Sequence, residues 1–176
     1  MNLVHWLALL FFLQNTQCAC DHAAPATLQE RQCALCREAE KQPADFEIFF
    51  LQDINPRKKN RTLALPRKPH GAGMHHFSGL SRKERVALWT EAIKKAKALW
   101  GDDWGIALNA ENVRTQCHLH VHIGKLLKGL APGKVMIVDG PAQIPDPKGR
   151  GLWMHPAGKR LMIHYDETIC ETALMR

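Results

Sequence analysis

The sequence holds a single tyrosine, no internal repeat and no low-complexity tract, and it has only one sustained apolar run, near its start. With one Tyr, and with its cations scattered (Arg57, Lys58, Lys59 and Arg61 in one place, Lys94, Lys95 and Lys97 in another), the chain offers no platform of stacked aromatic and basic side chains. Nucleic acid is therefore not expected as a main partner. The apolar run, Leu3 to Leu13, is about 11 residues, too short to cross a bilayer as a helix but the right length for the core of a signal peptide. No other segment approaches membrane-spanning length, so no transmembrane segment is expected.

Lys and Arg are absent ahead of the run, and the NTQCACD stretch after it is not a clean small-x-small cleavage site, which keeps a buried N-terminal helix as the competing reading. Export is nonetheless the expectation, periplasmic or secreted, with residues 1–19 as the signal peptide and a mature protein starting near Cys18 to His22. The residues before Cys18 and Cys20 fit a lipobox poorly, which argues against a lipid anchor. Acidic residues are also comparatively few: 17 against 24 Lys plus Arg, a net charge of +7. That balance suits an anionic partner such as a nucleotide or another phosphate-containing small molecule. A length of 176 residues with 45% hydrophobic content supports one domain with one core.

Along the chain, Phe46 to Leu51 and Arg61 to Leu65 read as a strand pair joined by a turn at Asp53-Ile54-Asn55-Pro56. Ser81-Arg82-Lys83-Glu84 has the S-x-x-E form of a capping box. From there Val86, Trp89, Ile93, Ala96 and Trp100 recur at helical spacing, which predicts one amphipathic helix of about 17 residues ended at Gly101-Asp102-Asp103. Gly105 to Asn109 and Cys117 to Ile123 follow as strands. The tail contributes Val135 to Val138 and a hairpin from Leu152 to Tyr165 around Pro156-Ala157-Gly158.

The chemistry is concentrated at Cys117 to Ile123. On a strand, alternate side chains share a face, so His118, His120 and His122 project together while Leu119, Val121 and Ile123 enter the core. Three imidazoles at strict alternation have no packing rationale, because burying them costs desolvation. They point either to a metal site of H-x-H type or to a nucleophilic histidine with helpers. The isolated His5, His22, His155 and His164 read as structural, and His75 and His76 as loop histidines without a role. Six cysteines, at 18, 20, 33, 36, 117 and 170, would suggest disulfides in an exported protein. Cys33-Ala-Leu-Cys36 fits a redox pair, half of a metal site or a structural disulfide. Redox chemistry is disfavoured, since no thioredoxin-like βαβ pattern surrounds the pair.

His-Leu-His-Val-His-Ile resembles the H-φ-H-φ-H-φ signature of the histidine-triad (HIT) superfamily. Cys33-Ala-Leu-Cys36, Phe49 to Pro56 (FFLQDINP), Thr62 to Pro66 (TLALP) and His70 resemble, in order, the family's N-terminal half. The resemblance covers Cys33 to about Lys125. It implies an α+β HIT-like fold, an antiparallel sheet of about five strands with one long helix, over residues 20–130. Residues 131–176 would be a C-terminal extension packed on the same domain, capping the substrate pocket or mediating contacts in a homodimer.

The resemblance further implies a nucleotide phosphohydrolase or nucleotidyl transferase. His120 would be the covalent nucleophile, and His122 would hold and protonate the phosphate region. Asn109 and Thr115 would donate to the transferring group, with Arg114 or Gln116 in place of the family's phosphate-binding Gln. In zinc-bearing members the ligands correspond to Cys33, Cys36, His70 and His118, a structural Cys2His2 site. The alternative is a non-catalytic zinc- and nucleotide-binding module. Two departures stand out: Arg61 occupies a position where many members carry His, and Arg114-Thr115-Gln116 with the His strand is similar to CDP-diacylglycerol pyrophosphatases, which keep only two of the three histidines. With zinc on Cys33 and Cys36, Cys117 is expected as a small buried residue, and Cys20 to bridge Cys170.

Overall fold

The computed structural model describes residues 18–43, 45–67, 75–130 and 133–176. Most of the expected signal segment and the expected ligand His70 lie outside the described residues. The hairpin forms as β1 (Ile48–Gln52) against β2 (Thr62–Pro66), with Phe50 opposite Ala64. A short helix α1 (Ala34–Glu40) precedes it, and the long helix α2 (Arg82–Trp100) follows. Both halves of the capping box form at α2: Ser81 Oγ accepts from the Glu84 amide, and the Ser81 amide donates to Glu84 Oε2 at 2.6 Å. Gly101, at φ +59°, ends the helix in a conformation that favours glycine.

The remaining strands are β3 (Trp104–Leu108), β4 (Val121–Lys125), β5 (Lys134–Val138), β6 (Gly151–Ala157) and β7 (Arg160–Glu167). Together they make a seven-stranded antiparallel sheet in the order β1-β2-β4-β3-β6-β7-β5. Among the described residues the chain is thus α+β, with seven strands instead of about five, one long helix and the short α1. The extra strands come from the tail, because β3 would otherwise be an edge with unpaired backbone groups, and β6 covers it with Ile106 opposite Met154.

Side-chain alternation divides the sheet into two faces. Leu119, Val121 and Ile123 share the α2 face with Ala64, Ile106, Leu152 and Ile163, under Leu88, Trp89, Ala92, Ile93 and Ala96 of the helix. The opposite face is covered in two patches. Leu35 and Ala39 of α1 lie on Phe49, Leu63 and Leu65, whereas Cys170, Ala173 and Leu174 of the tail lie on Ala107 and Trp153. The histidine row lies on this second face. No helix among the described residues is long and apolar enough to cross a membrane.

Two disulfides tie the N-terminal segment down, Cys18–Cys117 and Cys20–Cys33. Cys20 therefore does not bridge Cys170, Cys33 does not bridge Cys36, and Cys117 is buried but bonded. The cause is topological. A 3-10 turn at Pro25–Gln29 folds the segment back so that Cys20 joins Cys33, Cys36 and Cys117 in one buried cluster, while Cys170 is packed in the tail patch against Gly151.

That last contact generates a stability test. A Cβ on Gly151 would lie 2.5 Å from Cys170 Sγ and 2.9 Å from the Leu108 carbonyl oxygen, and part of that clash is backbone that cannot rotate away. Gly151→Ala is expected to cost about 1–3 kcal/mol, read as a lower Tm by calorimetry. Gly140→Ala, where nothing lies within 4 Å, should leave Tm unchanged; equal melts for the two variants would show that the tail does not pack here.

Candidate active site

The hydrogen-bonded part of the histidine strand is shorter than its sequence pattern. The ladder of β4 begins at Val121, opposite Ala64, so His118 and His120 precede it, His118 in a bend. Pro66 ends β2 and its carbonyl is taken by the His118 ring instead of by a strand partner, while the Cys117 amide donates to Gln32 O. Alternation persists through the lead-in because Leu119 and Val121 are both anchored in the α2 core.

The three imidazoles have different environments and so different chemistry. His118 is fully buried, its Nε2 donates to Pro66 O at 2.9 Å, and Phe49 meets it edge-on. Burial pushes its pKa down to about 4, which makes it a neutral structural ring. His120 places Nδ1 2.7 Å from the His118 carbonyl oxygen. A carbonyl can only accept, so Nδ1 carries the proton and Nε2 keeps its lone pair. Burial first, and then the neighbouring His122, lower the His120 pKa to about 3, so this lone pair is not lost to protonation near neutral pH. His122 packs edge-on to His120 at 4.9 Å between ring centroids.

His122 is flanked by two carboxylates: Nδ1 is 3.5 Å from Asp53 Oδ2 and Nε2 is 3.4 Å from Glu171 Oε2. These are ion-pair separations, long for hydrogen bonds. Burial alone would raise the Asp53 pKa, but His122, the Asn55 amide and Lys58 outweigh it and hold the carboxyl below its ordinary value. Glu171 follows the same pattern, with burial outweighed by His122, Lys58 and Arg61. Lys58 Nζ lies 2.5 Å and Arg61 Nη1 3.1 Å from Glu171 Oε2.

His120 and His122 face a cavity of about 380 Å³. Its walls are the start of α1, the Asp53–Pro56 turn, Thr115 and Gln116, and its cations are Arg31, Arg37 and Lys58. The turn is built by its own side chains, since Asp53 Oδ1 accepts from the Asn55 amide and Asn55 Oδ1 from the Arg57 amide. Gln116 pins the start of α1, accepting from the Leu35 amide and donating to Arg31 O. Thr115 and Gln116 line this cavity together with His120 and His122.

Asn109 and Arg114 do not line this cavity. Asn109 Oδ1 accepts from the Glu171 amide at 3.0 Å, and Arg114 Nη2 donates to His75 O at 2.6 Å beside a neighbouring cleft. Arg61 is 2% exposed and donates to the carbonyls of Leu174 and Met175, so it clamps the tail. Sequence reasoning missed Asp53, Lys58 and Glu171. Asp53 had a signal in the Asp-Ile-Asn-Pro turn; Glu171 had none, because it comes from a segment without a motif.

One expected zinc ligand is spent in the oxidised chain, and another, His70, lies outside the described residues. The Cys33 thiol is consumed by its bond to Cys20, and burial raises the Cys36 thiol to about 11. Of the four expected ligands, the described residues leave only Cys36 and the His118 ring, short of a tetrahedral set. Cys20, Cys36 and His75 converge within 4.8 Å, but Cys20 is likewise bonded. Protein isolated without reductant is accordingly expected to carry no stoichiometric zinc by metal analysis, and one zinc per chain would contradict the disulfide pairing.

Acid stability follows from the same groups. His118 and His120 titrate lower in the fold than the ordinary value of 6.5, so as pH falls below 6.5 the unfolded chain takes up their protons first. Asp53 and Glu171, also depressed, contribute stability above their ordinary range that is lost as pH falls through their lowered values. Both effects have one sign: stability should fall steadily from about pH 6.5 toward pH 3. A Tm that is flat over that window would contradict it. No family model and no curated protein matches the chain.

Proposed function

We propose that the chain is a HIT-type hydrolase or transferase that cleaves a phosphoanhydride or phosphoramidate bond of a nucleotide through a covalent intermediate on His120. The observation that carries this reading is the His120 Nδ1 contact with the His118 carbonyl, which aims an unprotonated Nε2 into a cavity rimmed by Arg31, Arg37 and Lys58. Those cations suit a phosphate, and a neutral imidazole beside them is a competent nucleophile. The α+β sheet with the histidine row on one face fits the HIT-like fold that the sequence motifs imply.

The Nε2 lone pair attacks phosphorus, forming an N–P bond as the bond to the leaving group breaks. The leaving group departs with the bonding electrons and takes a proton from His122. Water, or another hydroxyl or phosphate acceptor, then attacks phosphorus, the P–N bond breaks and its electrons return to Nε2, with the acceptor's proton passing back to His122. Asp53 and Glu171 give each His122 nitrogen a carboxylate to face, which holds the ring in place for both proton transfers. Disulfides persist in oxidising compartments, which suits export with cleavage ahead of Cys18 and not after residue 19, since Cys18 is bonded to Cys117.

The test is single-turnover labelling with nucleotides labelled in the α-phosphate, screened as nucleoside phosphoramidates, dinucleoside polyphosphates and CDP-diacylglycerol. His120→Ala should lose nearly all turnover and all covalent label while still binding nucleotide. His122→Ala should lose ~10²- to 10⁴-fold in rate. Glu171→Gln should lose less, and its pH–rate profile should shift, which a merely structural loss would not produce. Comparable turnover in His120→Ala and wild type would sink the assignment, and nucleotide binding with no turnover in the wild type would leave a binding module.

A further inference from the structure

Beside the His120 cavity lies a second, larger cleft of about 770 Å³, and Gln116 belongs to the wall of both. On the far side of Gln116 the cleft presents His76, Arg114, Lys148 and Arg150 with a single carboxylate, Glu111. Glu111 is engaged by His76 at 2.8 Å and approached by Arg114 at 3.9 Å, so the acidic charge in the wall is already countered. No carboxylate among the described residues pairs with the Lys148 ammonium. Arg150 is paired with Asp166, Nε to Oδ1 at 3.1 Å, so Lys148 carries the uncompensated charge of the wall, in a cleft that meets the His120 cavity at Gln116.

The turn that carries Lys148 is held in a costly conformation. Lys148 has φ +49° and Gly149 φ +79°, two successive left-handed residues of which only the second is glycine. Local bonds enforce it: the Lys148 amide donates to Asp146 Oδ1, the Arg150 amide to Pro147 O, and Gly149 O accepts from the Glu111 amide across the cleft rim. The tail thus docks a strained cationic turn onto the loop that leads into the histidine row.

We propose that this cleft is a second phosphate-binding subsite, seating the phosphate-bearing group that leaves His120's target or that later accepts from the intermediate. The proposal rests on the reading of His120 above for the identity of the group, whereas the affinity for phosphate stands on the cleft alone. Because leaving group and acceptor occupy the same side of the transferred phosphorus in turn, one seat serves both. The chemistry recognised is a multiply charged phosphate, for which the compact Lys148 ammonium is suited as a point charge.

The probe is inorganic pyrophosphate, titrated calorimetrically into the full chain. Lys148→Gly is the informative variant, since glycine accepts the left-handed backbone and only the ammonium is lost. Wild type and His120→Ala should bind pyrophosphate alike, and Lys148→Gly should bind at least tenfold more weakly with an unchanged Tm. A Lys58→Ala variant, which alters the His120 cavity and leaves this cleft's lining intact, should retain this binding event. In the wild type, pyrophosphate that discharges an α-labelled nucleotide from His120 as nucleoside triphosphate marks an acceptor seat, and competitive inhibition without discharge marks a leaving-group seat. Equal affinity in Lys148→Gly and wild type, or no binding by the wild type, overturns the subsite whatever His120→Ala does to turnover.

Discussion

The carboxylate of Glu171 gathers Lys58 from the loop after β1, Arg61 from the start of β2 and His122 from β4, while its backbone amide is held by Asn109 at the end of β3. Three separate stretches of chain, the β1–β2 connection, the end of β3 and β4, are fixed relative to one another through one tail residue. A buried guanidinium such as Arg61 is tolerable only when its charge and donors are satisfied, and here Glu171, Leu174 and Met175 supply the acceptors. The tail is therefore part of the site and not an appendage to it. Tail strands complete the sheet on β3, and the last turn of the chain closes the second face beside His122.

The row of histidines illustrates how one repeated residue acquires distinct roles from its surroundings. All three share a face, yet His118 is spent on a backbone carbonyl, His120 is oriented by the carbonyl of His118, and His122 is set between carboxylates. The first thus orients the second through its backbone. Desolvation keeps His118 and His120 neutral, and charge sits instead on the residues around His122.

Two covalent bonds brace the N-terminal segment. Cys20–Cys33 holds the segment before α1, and Cys18–Cys117 anchors the chain next to His118, so both disulfides brace elements that wall the His120 cavity. Closing loops between positions separated by 13 and 99 residues restricts the unfolded chain, on the usual entropic account by about 3 and nearly 5 kcal/mol.

By itself the sequence determined what local periodicity and local capping can encode. The β1–β2 hairpin, the capped helix from Ser81, the alternation that sorts Leu119, Val121 and Ile123 from the three histidines, and the hairpin around Gly158 were all legible, because each depends on neighbours within a few residues. The nucleophile candidate was legible for the same reason, as were Thr115 and Gln116 just ahead of it. Tertiary structure alone decided the rest. Pairing of β6 with β3 gave seven strands, convergence of Cys20, Cys33, Cys36 and Cys117 chose the disulfides, and the placement of Asn109 and Arg114 outside the cavity came from how the tail and the His75 loop pack. Glu171 stands 49 residues from His122 in a stretch with no pattern of its own, and only the closing of the chain on itself, through Arg61 and Asn109, brings its carboxylate to the imidazole.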